Sequence, residues 1–185
     1  MIHSRRLSTV FVTLATSFAA APAFADHFTF PTRLSGYNET PSTLNSPASG
    51  EFLAKVSKDE QSIAYTLTYR DLGTPTNQAH IHFGRPSLSG GVVLFLCTNL
   101  APPAGVPTPP PCPNTAGTVT GTLTAADVIA VAGQGIDAGA AGFAEMIKAL
   151  RNGAAYANVH TQQRPGGEIR GPLGKTGGDD EDDDD

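Results

Sequence analysis

The sequence predicts an all-β protein, an antiparallel β-sandwich or Greek-key barrel with a short helical insertion before the last two strands. Three observations carry this expectation. Short β-type runs separated by turn residues recur along the chain. Apolar and polar residues alternate within them, as strands with one packed face require. No βαβ spacing of the kind that builds a parallel sheet occurs.

The opening stretch "MIHSRRLSTVFVTLATSFAAAPAFA" sets Arg5 and Arg6 before a short apolar segment and a small-residue site at Ala23 and Ala25. This pattern predicts a secretory signal peptide over residues 1–25, and the apolar part is too short and too polar for a retained anchor. "SRRLS" has the twin arginines of a second export route, but Ser8 and Thr9 stand where that signal is apolar. Export to the periplasm or the cell exterior is therefore expected, with no membrane span later in the chain. The mature part reads as one domain over 26–173, followed by an acidic tail over 174–185. That tail is expected to be disordered, because like charges repel and nothing apolar is there to bury.

Eight runs read as strands: "HFTFPTRLSG", "GEFLAKVS", "SIAYTLTYR", "QAHIHFG", "GGVVLFLC", "GTVTGTLT", "AAYANVHT" and "GEIRGPL". The polar turn "SKDEQ" predicts a hairpin between the second and third. In the third, Ile63, Tyr65, Leu67 and Tyr69 share one face against Ala64, Thr66, Thr68 and Arg70. Between the sixth and seventh runs, Thr124 is placed as an N-cap with Asp127 three residues on. Phe143, Met146, Ile147 and Leu150 fall at helical spacing before Gly153. The intervening "AGQGIDAGAAG" is too rich in glycine for one continuous helix, which predicts two short helical pieces and a flexible join.

The formal charge of -5 is misleading, because seven acidic residues lie in the terminal "DDEDDDD". The rest of the mature chain is balanced, which argues against nucleic acid or a membrane surface as partner. Cys97 and Cys112 are the only cysteines. In an exported chain they read as one disulfide closing a proline-rich loop, with a two-thiolate metal site as the competing reading. No G-x-S-x-G or H-E-x-x-H motif supports a hydrolase.

The chemistry concentrates on one face. In "QAHIHFG", Ala79, Ile81 and Phe83 point one way, and His80 and His82 point the other with Cα atoms roughly 7 Å apart. The same test on "YANVHT" sets Tyr156, Asn158 and His160 opposite Ala157 and Val159. In "GEIRG" it sets Glu168 and Arg170 opposite Ile169. The candidate binding set is His80, His82, Asn158, His160, Glu168 and Arg170, with His80, His82 and His160 as candidate metal ligands.

"AHIHFG" and the later "GAAYANVHTQQRPGGEIRGPL" resemble the chordin-type, or CHRD, domain family, with its HIH-G motif and closing pattern Y-x-N-x-H-T-x-x-x-P-x-G-E-I-R-G. The match falls on His80, Ile81, His82, Gly84, Tyr156, Asn158, His160, Thr161, Pro165, Gly167, Glu168, Ile169, Arg170 and Gly171, and the resemblance extends over roughly 28–173. It implies an extracytoplasmic all-β domain that works as a non-catalytic binding or interaction module, with an extracytoplasmic ligand or protein as partner.

"HIHFG" is also similar to the H-V-H-x-F-G copper-binding strand of Cu/Zn superoxide dismutase, in which a third copper histidine comes much later in the chain. His160 would take that third place. The zinc loop of that family is missing, Phe83 follows His82 directly, and the cysteines close a different loop. This resemblance therefore implies at most a copper-only site built from His80, His82 and His160, with His27 as a further candidate.

Three roles stand open for the polar face. It could be a buried hydrogen-bond network with Arg170 paired to Glu168 or to an acceptor across the sheet. It could be a copper or zinc site, although the binding-module reading requires no cofactor. It could hold an anionic or carbohydrate ligand through Arg170.

Overall fold

The structure, a computed structural model, describes residues 26–174, so the expected signal peptide and all but the first residue of the expected acidic tail lie outside it. Eight strands form one antiparallel sheet: β1 (Asp26–Ser35), β2 (Ser49–Ser57), β3 (Ile63–Arg70), β4 (Thr76–Phe83), β5 (Gly91–Thr98), β6 (Gly117–Leu123), β7 (Ala155–Thr161) and β8 (Ile169–Leu173). Their order is β5-β4-β7-β8-β1-β2-β3-β6. The outermost strands β5 and β6 come back into contact, so the sheet rolls into a nearly closed barrel. Closure leaves few unpaired strand edges. The Tyr65 hydroxyl on β3 donates to the Leu96 carbonyl on β5 at 2.6 Å and ties the two ends of the sheet together.

The alternation read from the sequence sets the core. On β3, buried and exposed residues alternate without exception. Ile63, Tyr65 and Leu67 lie opposite Val56, Ala54 and Phe52 of β2, and all six side chains are buried. Each large apolar side chain withdrawn from water in this way contributes about 1.5–3 kcal/mol. The turn between β2 and β3 is the expected hairpin, with Asp59 accepting from Ser57 Oγ and from the Gln61 N–H.

The helical excursion starts where the sequence predicts. Thr124 caps a short 3-10 turn over Ala125–Asp127, and Asp127 Oδ2 returns to the Thr124 N–H at 2.8 Å. Helix α1 (Gly139–Arg151) buries Phe143, Met146, Ile147 and Leu150. It begins within the glycine-rich stretch, because close packing there requires glycine: a Cβ on Gly142 would lie 1.8 Å from the Asp137 carbonyl oxygen. The join is also more ordered than expected. Val131 and Ile136 bridge each other around a second 3-10 turn, Ala132–Gln134.

Cys97 and Cys112 form a disulfide, so the two-thiolate reading falls. Asn99 clamps the same loop by accepting from the Cys112 N–H at 3.1 Å and donating to the Cys112 carbonyl at 3.2 Å. Among the described residues no helix is long and apolar enough to cross a membrane.

Strands β4, β7 and β8 depart from simple alternation. All of β7 is buried on both faces. The inner face packs Ala79, Ile81, Ala157, Val159 and Ile169 into the core. The outer face, which carries the histidines, lies beneath the β1–β2, β4–β5 and β7–β8 loops.

Candidate metal centre

Antiparallel register builds this site. His80 lies opposite Asn158, and His82 lies opposite Tyr156, on the paired strands β4 and β7. Asn158 in turn lies opposite Arg170 on β8. Same-face residues on three adjacent strands thus form a polar row, and His160 enters two residues along β7. The β4–β5 pairing is irregular on either side of Ile81, between Ala79 and His80 and between Ile81 and His82. Such bulges re-aim side chains locally.

The three histidines converge. Ring centroids lie 4.8 Å apart for His80 and His160, 5.5 Å for His80 and His82, and 5.8 Å for His82 and His160. One ring nitrogen from each comes within 4.8 Å of the others. All three residues are buried. An ion bonded to each nitrogen at roughly 2 Å would draw these atoms to a separation of roughly 3.3 Å, a movement of under about 1 Å per ring.

Backbone carbonyls fix two of the rings. His82 Nδ1 donates to the Gly90 carbonyl at 3.0 Å and His160 Nδ1 to the Pro165 carbonyl at 3.0 Å. A carbonyl only accepts, so Nδ1 carries the proton and Nε2 of the neutral ring presents a bare lone pair. Those two Nε2 atoms, and both ring nitrogens of His80, are buried with no hydrogen-bond partner among the described residues. Orientation of a ring by Nδ1–H to a carbonyl is the usual support of a metal-binding imidazole.

The rings are also held neutral. Burial pushes His80 down to about 2, with His160 and His82 adding to the effect. His82 is pushed down to about 4 by burial, against the opposing pull of its Gly90 hydrogen bond. His160 is lowered chiefly by burial as well. Aromatic rings line the cluster: Phe95 stands edge-on to His80 at 4.2 Å, and Tyr156 stacks on His82 at 4.6 Å.

The remaining sequence candidates belong to the walls. The Arg170 guanidinium covers the Tyr156 ring at 4.0 Å, donates to the Leu88 carbonyl at 3.1 Å, and sets Nε 3.4 Å from Glu39 Oε2. Its acidic partner is Glu39 and not Glu168. Glu168 accepts from Thr161 Oγ1 at 2.7 Å, Ser46 Oγ at 2.9 Å and the Gly73 N–H at 3.1 Å. Asn158 Nδ2 donates to Glu39 Oε1 at 2.6 Å and to the Ile169 carbonyl at 2.9 Å. Gly167, at φ +126°, leaves room for this network, since a Cβ there would come within 2.8 Å of both Asn158 and Glu39. The side chain of His27 lies outside the described residues.

Glu39 and Phe95 are absent from the sequence-derived set. Glu39 comes from a loop with no periodicity to place it, and burial pushes its carboxyl upward against the opposing charge of Arg170. Phe95 reads in sequence as one more apolar residue of "VVLFLC".

Comparison with known families matches the CHRD domain to residues 30–173. No curated protein and no solved structure matches the chain.

Proposed function

The chain belongs to the CHRD domain family, and from that premise we propose that it is an exported, non-catalytic module whose three buried histidines bind one transition-metal ion. One observation carries the reading. Four ring nitrogens of His80, His82 and His160 are buried without a hydrogen-bond partner among the described residues, and one nitrogen from each residue lies within 4.8 Å of the others. A buried polar atom without a partner costs roughly 1–3 kcal/mol, and one cation accepting a lone pair from each ring removes that cost at three of the four. The neutral, carbonyl-oriented imidazoles suit copper or zinc.

Binding is favoured over turnover because the ring nitrogens are shut away from solvent, so no substrate reaches the shared point without movement of the covering loops. An extracytoplasmic setting fits the disulfide and the signal-like amino terminus. The anion-binding role loses ground, since Arg170 is engaged by Glu39, Tyr156 and the β4–β5 loop. The hydrogen-bond network is present around Asn158, Glu39 and Glu168, but it leaves the converging histidine nitrogens out.

Elemental analysis of protein purified without a metal-binding tag tests the reading, after exposure in turn to copper and zinc. One ion per chain is expected, with loss in His160→Ala and His80→Ala. Protein that folds but takes up neither ion would return the histidines to a structural role.

A further inference from the structure

Resting on the reading of the histidine cluster as a metal site, we infer that this site selects a soft monovalent ion, copper(I) or its redox-inert analogue silver(I), over a divalent one. The argument is one of charge and coordination number. The ligand set consists of three neutral imidazoles, and among the described residues no thiolate or carboxylate joins them. Imidazole by itself accepts zinc and both oxidation states of copper, so the surroundings must discriminate.

Those surroundings offer a cation no net negative charge. Glu39 and Arg170 oppose each other, with Nε and Oε2 3.4 Å apart. Glu168 turns away toward Thr161, Ser46 and Gly73. A divalent ion would therefore stand sealed from water with no counter-charge of its own, and the penalty for burying charge rises with its square. The Arg170 guanidinium lies over the Tyr156 ring, which in turn stacks on His82, and its positive charge opposes a dication twice as strongly as a monocation.

Coordination number points the same way. Zinc in proteins takes four ligands, the fourth being an anionic side chain or a water. Here the ring nitrogens have no solvent exposure, and Phe95 and Tyr156 pack against the rings. Asn158 Oδ1 is the nearby unpartnered oxygen, and as a neutral amide it leaves the charge balance unchanged.

The test is a competition on the purified chain. Copper(I) is titrated anaerobically against a colorimetric chelator, silver(I) by displacement of copper(I), and zinc(II) and copper(II) against chelators of known affinity. The expected result is one copper(I) or silver(I) per chain, bound about tenfold or more tighter than zinc(II) or copper(II), and lost in His160→Ala. His80→Ala serves as the second site variant should the first not fold. Zinc(II) or copper(II) bound as tightly, and lost in the same variants, overturns the selectivity and leaves the metal site standing. Failure of the wild-type chain to bind any of the four ions overturns both, and so does copper(I) binding undiminished in folded variants.

Discussion

His82 and Tyr156, opposed on neighbouring strands, stack with ring centroids 4.6 Å apart and planes 8° from parallel. Gly90 closes the arrangement by donating its N–H to the Tyr156 hydroxyl at 3.0 Å, while its carbonyl accepts from His82 Nδ1. The tyrosine therefore orients a histidine twice, by its face and through the β4–β5 loop. Tyr156→Phe keeps the stack and removes the acceptor. It is expected to cost about 1 kcal/mol in urea denaturation with metal stoichiometry intact. A loss of bound metal in a folded Tyr156→Phe protein would mean that the hydroxyl does more than hold the loop.

Glu39→Gln leaves Arg170 buried without its opposing charge while preserving an acceptor for Asn158. Breaking one partner of a buried ion pair costs about 3–5 kcal/mol, so a loss of that size is expected by chemical denaturation. A change below about 1 kcal/mol would show instead that Glu39 is already protonated in the native state, the direction in which burial pushes it.

The disulfide spans a sequence separation of 15 residues. Reducing it is expected to lower stability by about 3 kcal/mol through the freedom regained by the unfolded chain. The native fold should survive, because Asn99, two residues after Cys97, is hydrogen-bonded to both the N–H and the carbonyl of Cys112 and to the Thr76 carbonyl of β4. Circular dichroism before and after reduction, with urea midpoints, reads both expectations. Collapse of the β signal on reduction would contradict the second.

Metal-free protein should lose stability on acidification. The folded-state values of His80 and His82, about 2 and about 4, lie below the ordinary value of 6.5. Between those values and 6.5 the unfolded chain takes up protons that the folded chain refuses. The contribution of neutral burial is therefore complete above pH 6.5 and is lost as pH falls, by about 1.4 kcal/mol per pH unit for each histidine. His160 acts in the same direction, and Glu39, raised by burial, acts against it. Urea midpoints measured from pH 7.5 down to 4.5 should decline steadily. A flat profile would mean that the imidazoles are not buried in neutral form.

The strands, the capping of the excursion by Thr124, the apolar stripe of α1 and the inward and outward faces of "HIH", "NVH" and "EIR" were all legible in the sequence. Each depends on periodicity or on a hydrogen bond to a near neighbour, and a linear chain records such things directly. The start of α1 was less legible. Glycine lowers helix propensity, but the close approach of Gly142 to the Asp137 carbonyl and to Val128 overrode that preference.

Alternation alone could say that His80, His82 and His160 leave the core side of their strands, and it could not say what waits there. A strand face pointing away from the core is ordinarily wet. Here three loops cover it: the Gly90 carbonyl of the β4–β5 loop, the Pro165 carbonyl of the β7–β8 loop and the Glu39 carboxyl of the β1–β2 loop each hydrogen-bond a side chain of this face. Glu39, 119 residues from Asn158 in sequence, reaches it through such a loop. The choice of Glu39 over Glu168 as the partner of Arg170 was likewise decided in three dimensions, since Glu168 turns aside to Thr161, Ser46 and Gly73. Sequence by itself determined which residues could face one another. Only the tertiary structure decided that they meet out of water, where an unpaired imidazole nitrogen is costly enough to call for a ligand.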